Sequence, residues 1–355
     1  MSGMQLLELL VNVPSVSGQE AELADFLACR LSGQGFAVQR EGNSVWFTLG
    51  GSKRPHLVLL SHIDTVPPCE GWIGDPFKLR VDGDKLSGLG ANDAKGCVAA
   101  MIMAAGEQPA DELDGSVTFA FVAEEERGGD GVRAVRPKLG VIDAAVIGEP
   151  TALEVCTAQR GLLMLSCTAH GEAAHVAHAE LGENAIHKAA RDINRLVSTE
   201  FEPHESLGIA RPQVTQISGG VARNQVPDRC EFFVDIRTTP NLDHADLAAQ
   251  IDAALESEVT VHSGRYLPAA TDEAEAIVRA ALVAARRERG VGSATTSDWA
   301  FLQDIPAVKI GPGDTHRSHR PNEYLLLSEL EAGAAFYGRL IPAYFKLVAG
   351  GRAHV

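Results

Sequence analysis

The chain has 355 residues, 45% of them apolar, and a formal net charge of −16. That length exceeds the usual span of one hydrophobic core, so two packed units are expected. The acidic balance, with no block of Lys or Arg to offset it, argues against nucleic acid and anionic membrane surfaces as partners and leaves small molecules or cations.

No run of 18 uncharged apolar residues occurs, and the opening MSGMQLLELLVNVPS lacks a basic region followed by an apolar stretch and a cleavage site. Neither membrane spanning nor export is expected. The six cysteines (Cys29, Cys69, Cys97, Cys156, Cys167 and Cys230) have no CxxC spacing. They read as free thiols of a reducing compartment, and the expected location is the cytoplasm.

In chain order, residues 56–60, 117–122 and 144–147 read as buried strands of a parallel sheet. A helix of small residues is predicted over 93–106, and 128–135 can start another. The pattern changes near residue 160. Strands are predicted at 161–169, 213–217, 230–237 and 259–262, and helices at 184–197 and 243–255, which together make a compact α+β sandwich. Beyond residue 267 the α/β pattern returns, with a helix over 272–289 and a strand over 307–310. The expected fold is an α/β domain formed by residues 1–160 and 268–355, a mostly parallel sheet flanked by helices, with the α+β unit of 161–267 inserted into it.

Acidic and imidazole side chains gather where the strands end. His62 and Asp64 close the first strand, Glu124, Glu125 and Glu126 follow FAFVA, Glu149 follows AAVIG, and His319 lies after VKIGPGD. Asp93 stands at the start of the small-residue helix. Ligands of open α/β sheets collect beyond the carboxyl ends of the strands, so residues distant in sequence converge there. Singly, each has an ordinary reading: a hydrogen-bonded pair, a solvated turn, the start of a loop, a surface histidine. Together they make the inventory of a metal site, because such charge in an apolar setting is costly unless compensated.

The ordered segments SHIDTVP, GLGANDAKG, AEEERGG, GEP, GEAAHVAHAELGENAI, GGVARNQVPD, VDIR and GPGDTHRSHRPNE span nearly the whole chain. In them the sequence resembles the acetylornithine deacetylase, succinyl-diaminopimelate desuccinylase and carboxypeptidase G2 family of dinuclear zinc amidohydrolases. The resemblance implies a zinc-peptidase-like catalytic domain and makes the inserted unit a dimerisation, or lid, domain. It implies two Zn²⁺ per subunit, one held by His62, Asp93 and Glu149 and the other by Asp93, Glu126 and His319, with Asp93 bridging; Co²⁺ or Mn²⁺ suit the same donors.

By the same resemblance Asp64 accepts a hydrogen bond from the other ring nitrogen of His62 and fixes its tautomer. Alternate residues of a strand point to one side, which accounts for the spacing of that pair. Glu125 is implied as the general base that takes a proton from water and returns it to the leaving amine. His316 competes with His319, and the distance to the Asn-Glu of HRPNE favours His319. In the inserted unit His175 is assigned to the neighbouring subunit's site in a homodimer, where it polarises the scissile carbonyl. Asn224 is assigned to substrate binding and Arg237 to the substrate carboxylate, which a planar guanidinium suits. The sequence departs from the family pattern at Leu89, Cys97 and His178, where Arg, Gly and Pro are frequent; no implied ligand is lost, but the subfamily is blurred. Cys69 reads as a free structural thiol, since no basic neighbour activates it.

The leading expectation is a metal-dependent hydrolase of N-acyl amino acids, first N-acetylornithine, giving ornithine and acetate in arginine biosynthesis. Alternatives are desuccinylation of succinyl-diaminopimelate, deacetylation of N-acetyl-lysine or N-acetylcitrulline, and dipeptidase or aminoacylase activity. A reading of another class, a metal-bound binding protein without turnover, gives no reason for a base at Glu125.

Overall fold

In the computed structural model, which describes residues 2–352, the apolar runs form adjacent strands of one sheet. These are β1 (Ser44–Leu49), β2 (His56–His62), β3 (Ser116–Val122) and β4 (Ala144–Ile147). β2 is parallel to both β3 and β4, the strand Ala307–Lys309 is parallel to β4, and β1 is antiparallel to β3. Every residue of β2, β3 and β4 is buried, as expected of strands covered on both faces.

The chain divides into two compact units. One comprises the residues up to Thr157, then Thr271–Val291 and Ser297 onward; the other comprises Ala158–Ala270 and Gly292–Thr296.

In the first unit, helix α1 (Gly3–Asn12) opens with Ser2 and Gln5 in a reciprocal capping box. Helix α2 (Lys95–Glu107) is built from small residues and lies close to the sheet. Close packing is also required at Gly148, just past β4: a Cβ there would fall 2.5 Å from Met101 Cε and 3.1 Å from Ser61 Cβ. The glycine lets the segment that carries Glu149 pass beneath α2. The helix starts at Lys95, two residues later than predicted, so Asp93 sits in the turn ahead of it, where the Asp93–Ala94 peptide is cis. Lys95 is buried, and its Nζ donates to the carbonyls of Leu10 (2.9 Å) and Val13 (3.1 Å) at the end of α1. Those carbonyls have no partner within the helix.

The second unit is an antiparallel sheet of β5 (Leu162–His170), β6 (Pro212–Gly219), β7 (Arg229–Ile236) and β8 (Glu258–Tyr266) in the order β6-β7-β5-β8. Burial alternates along β5 and β7, so one face supplies Leu163, Leu165, Phe232 and Val234 to a core. Helices α3 (Ala185–Val197) and α4 (His244–Ala254) contribute Ala189, Leu196, Leu247 and Ile251 to that core. Their first turns are capped by Asn184 and Asp243, whose side chains accept backbone N–H groups.

The helix predicted over 272–289 is shorter, Ala276–Ala285, because Arg286 turns into the left-handed region (φ 57°). The helices Ala21–Gly33 and Leu327–Arg352, like α1 and β1, have no counterpart among the predicted elements. Among the described residues no helix is long and apolar enough to cross a membrane.

Candidate metal centre

Asp93 faces two histidines. His62, at the end of β2, is 1% exposed, and its Nε2 lies 3.2 Å from Asp93 Oδ1 and 3.9 Å from Glu149 Oε1. His319 is 52% exposed, and its Nε2 lies 3.7 Å from Asp93 Oδ2 and 2.8 Å from Glu126 Oε1. His62–Asp93–Glu149 and Asp93–Glu126–His319 therefore each bring three donor atoms within 4.8 Å of one another, as do His62, Glu125 and Glu126. His316 is turned away, 85% exposed and paired with Asp314 at 2.8 Å.

These donors fit divalent cations by spacing and by charge. Tetrahedral bonds of about 2.0–2.2 Å place neighbouring donors roughly 3.3–3.6 Å apart, within the range seen around Asp93. Burial drives the Glu125 carboxyl well above the usual carboxylate range, and Glu149, Asp298 and Glu126 add to the shift against the opposing charge of His62. Burial, with the charge of Asp93, likewise raises Glu149 to about 7. Asp298 is buried too, neither of its oxygens has a hydrogen-bond partner, and burial lifts it well above its ordinary value. So many carboxylates ionise together only with cations among them. Burial opposes protonation of His62, yet hydrogen bonds to Asp64 and Asp93 raise it well above its ordinary value. The Glu126 contact, foremost, raises His319 to about 9.

Asp64 does more than orient an imidazole. His62 Nδ1 lies 3.1 Å from the Asp64 backbone carbonyl and 3.4 Å from its carboxylate, which directs Nε2 toward Asp93. The carboxylate itself accepts the backbone N–H groups of Glu125 and Glu126, each at 3.1 Å, and the Ser17 hydroxyl at 2.7 Å. Ser15 Oγ donates to the Ile63 carbonyl at 2.7 Å, so the segment containing both serines braces the end of β2. Glu323 accepts the backbone N–H groups of Asn92 and Asp93, and the Asn92 side chain donates to the Asp314 carbonyl. Sequence reasoning missed Ser17, Asn92 and Glu323. Asn92 and Glu323 lie inside the quoted motifs GLGANDAKG and HRPNE, the one signal that could have found them.

The remaining expected residues lie in the second unit. His175 is exposed, and its Nδ1 accepts the Ala177 N–H at 3.1 Å. Asn224 is exposed, and its backbone carbonyl accepts the Val176 N–H. Arg237 stands just past β7, not within a strand as predicted, and forks onto Asp235 at 3.0 and 3.2 Å. Cys69 is an exposed free thiol, so it contributes no core packing.

A family model described as peptidase family M20/M25/M40 matches residues 58–343. The succinyl-diaminopimelate desuccinylase of Stenotrophomonas maltophilia (strain K279a) is 32% identical over 364 residues, covering 94% of this chain and 96% of its own. Among solved structures, an M20 family metallo-carboxypeptidase from Sulfolobus solfataricus superposes with a TM-score of 0.79 at 19% identity, covering 98% of this chain and 100% of that one. A dinuclear metal-binding peptidase of the M20 family from Bacillus subtilis gives 0.77 at 20% identity, over 97% and 98%. The two structures share the fold, and the sequence matches run across both units. The chain belongs to peptidase family M20/M25/M40 and is a metal-dependent amidohydrolase.

Proposed function

We propose that this enzyme hydrolyses the amide of an N-acyl amino acid, with Glu125 moving the proton. The observation that carries the reading is the turn that presents Glu125 and Glu126 side by side, with Glu126 against His319 and both backbone amides held by Asp64. His62, Asp93 and Glu149 would hold one Zn²⁺, and Asp93, Glu126 and His319 the other. When bound, the cations supply Lewis-acid polarisation and acidify water. With cations present the neighbouring carboxylates are compensated, and Glu125, in the same donor cluster as His62 and Glu126, is placed to take a proton from the attacking water. As the C–N bond breaks, that proton passes to the leaving nitrogen, giving a carboxylic acid and a free amine. Asp64 holds the turn and the His62 tautomer while this happens.

His175, Asn224 and Arg237 complete the proposal. Arg237 would exchange its Asp235 partner for the substrate carboxylate, Asn224 would contact substrate, and His175 would serve the site of a second copy in a homodimer. The inserted unit would then act as lid and dimerisation domain. Six cysteines, all free, suit a reducing compartment, and we assign the enzyme to the cytoplasm.

Two substrates lead. The relative named succinyl-diaminopimelate desuccinylase favours N-succinyl-diaminopimelate. The acidic chain favours a cationic side chain, as in N-acetylornithine. The test is kcat/KM for N-succinyl-diaminopimelate, N-acetylornithine, N-acetylcitrulline, N-acetyl-lysine and a dipeptide at one zinc loading. Hydrolysis of the dipeptide alone would overturn the N-acyl amino acid reading.

A further inference from the structure

The loop that carries His319 turns twice through left-handed backbone. His319 and Asn322 both have φ of 59°, the left-handed region that L-residues other than glycine seldom adopt. Contacts from outside the loop hold it in place. Asn322 Oδ1 accepts the Ile73 N–H at 2.9 Å and its Nδ2 donates to the Gly71 carbonyl at 3.2 Å. Asn92, fully buried, accepts the Asp314 N–H at 2.9 Å and donates to the Asp314 carbonyl (3.1 Å) and to Ser318 Oγ (3.2 Å).

Glu323 closes the connection. It is 2% exposed, and its Oε1 accepts the N–H groups of Asn92 and Asp93, both at 2.9 Å, while its own carbonyl accepts the Gly88 N–H at 3.0 Å. One carboxylate oxygen thus fixes the backbone of the residue that faces both histidines, from a position four residues beyond the second of them. His62 and Glu149 are carried by β2 and the segment after β4 and do not depend on this link. Glu126 is held by Asp64. Only Asp93 and His319 share it.

We infer that Glu323, with Asn92, is a positioning residue that sets the spacing of Asp93 from His319 and thereby the affinity of the cation held by Asp93, Glu126 and His319. This rests on the two-metal reading above. Groups that orient ligands typically contribute about 10–100-fold to metal affinity.

The experiment is a zinc titration of the apoprotein followed by calorimetry, with elemental analysis of the loaded protein and a thermal melt of each apo variant. Glu323→Ala deletes the acceptor, Glu323→Asp withdraws it by one methylene, and Glu323→Gln keeps an oxygen for both N–H groups. We expect Ala and Asp to weaken one of two equivalents by about 10–100-fold, the other by less, and Gln to stay within about threefold of the parent. If Glu323→Ala does not fold, the Asp and Gln pair carries the comparison. Two equivalents bound with parental affinity by folded Ala or Asp variants would overturn the inference. A parent protein that binds no zinc would instead remove the metal reading on which it rests.

Discussion

Asp64 holds the backbone of Glu125: its Oδ1 accepts the Glu125 N–H at 3.1 Å, while Oδ2 does the same for Glu126. Burial opposes ionisation of this carboxylate, and His62 foremost, then the Ser17 hydroxyl and the Glu125 amide, hold its pKa below the ordinary value. The residue two positions from His62 therefore fixes the turn that presents the base.

In Asp64→Asn one oxygen becomes an NH₂, and since each oxygen accepts a backbone N–H, that NH₂ must face a donor in either orientation. The turn should shift, and kcat should fall by about 10–100-fold together with weaker zinc binding, since the same carboxylate holds the Glu126 amide and faces His62. Steady-state kinetics and elemental analysis of the same preparation check this; unchanged kcat would separate Asp64 from the turn.

Ser17→Ala removes one donor from that carboxylate and leaves the two amides. Loss of a hydrogen bond to a charged group should lower unfolding free energy by about 1.5–3 kcal/mol, read from urea denaturation of the apoprotein. A difference below roughly 0.5 kcal/mol would mean the hydroxyl contributes nothing net.

Glu125 and Glu126 should separate cleanly despite being adjacent. Glu125→Gln should bind zinc like the parent and lose about 10²–10⁴-fold in kcat, the range of general acid–base catalysis. Glu126→Gln should weaken zinc binding first and recover part of its activity at high zinc. Equal zinc affinity in both variants would contradict the division of roles.

Some of this was legible in sequence and some was not, for identifiable reasons. β2, β3 and β4 are mostly apolar runs, so their ends, with His62 closing β2 and Glu125 and Glu149 just beyond β3 and β4, could be read from hydropathy alone. Ser17, Asn92 and Glu323 could not, because each acts on a partner 47 to 231 positions away, and two of them through backbone amides that have no letter in the sequence. The helix Leu327–Arg352 has Pro342 in its interior, a residue that ordinarily marks a break. The Ser2–Gln5 pair that caps α1, by contrast, is a helix-start signal carried by the sequence itself.

The second unit should lose stability in mild acid through His244. This buried imidazole meets the Gly264 carbonyl with Nδ1 (2.9 Å) and Thr238 Oγ1 with Nε2 (2.7 Å), an arrangement suited to the neutral ring. Burial lowers its pKa below the ordinary 6.5. The unfolded chain therefore takes up the proton first. The stabilising effect is complete above 6.5, is lost as pH falls toward the folded value, and is constant below it. Thermal midpoints between about pH 7.5 and 5.5 should fall less steeply for His244→Gln than for the parent, and identical slopes would argue against this histidine as a source.

The central claim is that the two triads around Asp93 hold cations on which turnover depends, and one preparation tests it most directly. Metal content and kcat should be measured on the same sample before chelation, after chelation and after zinc is returned. The expected result is two equivalents per chain, loss of turnover with their removal and recovery with zinc. Full turnover by protein shown to contain no transition metal would contradict the account.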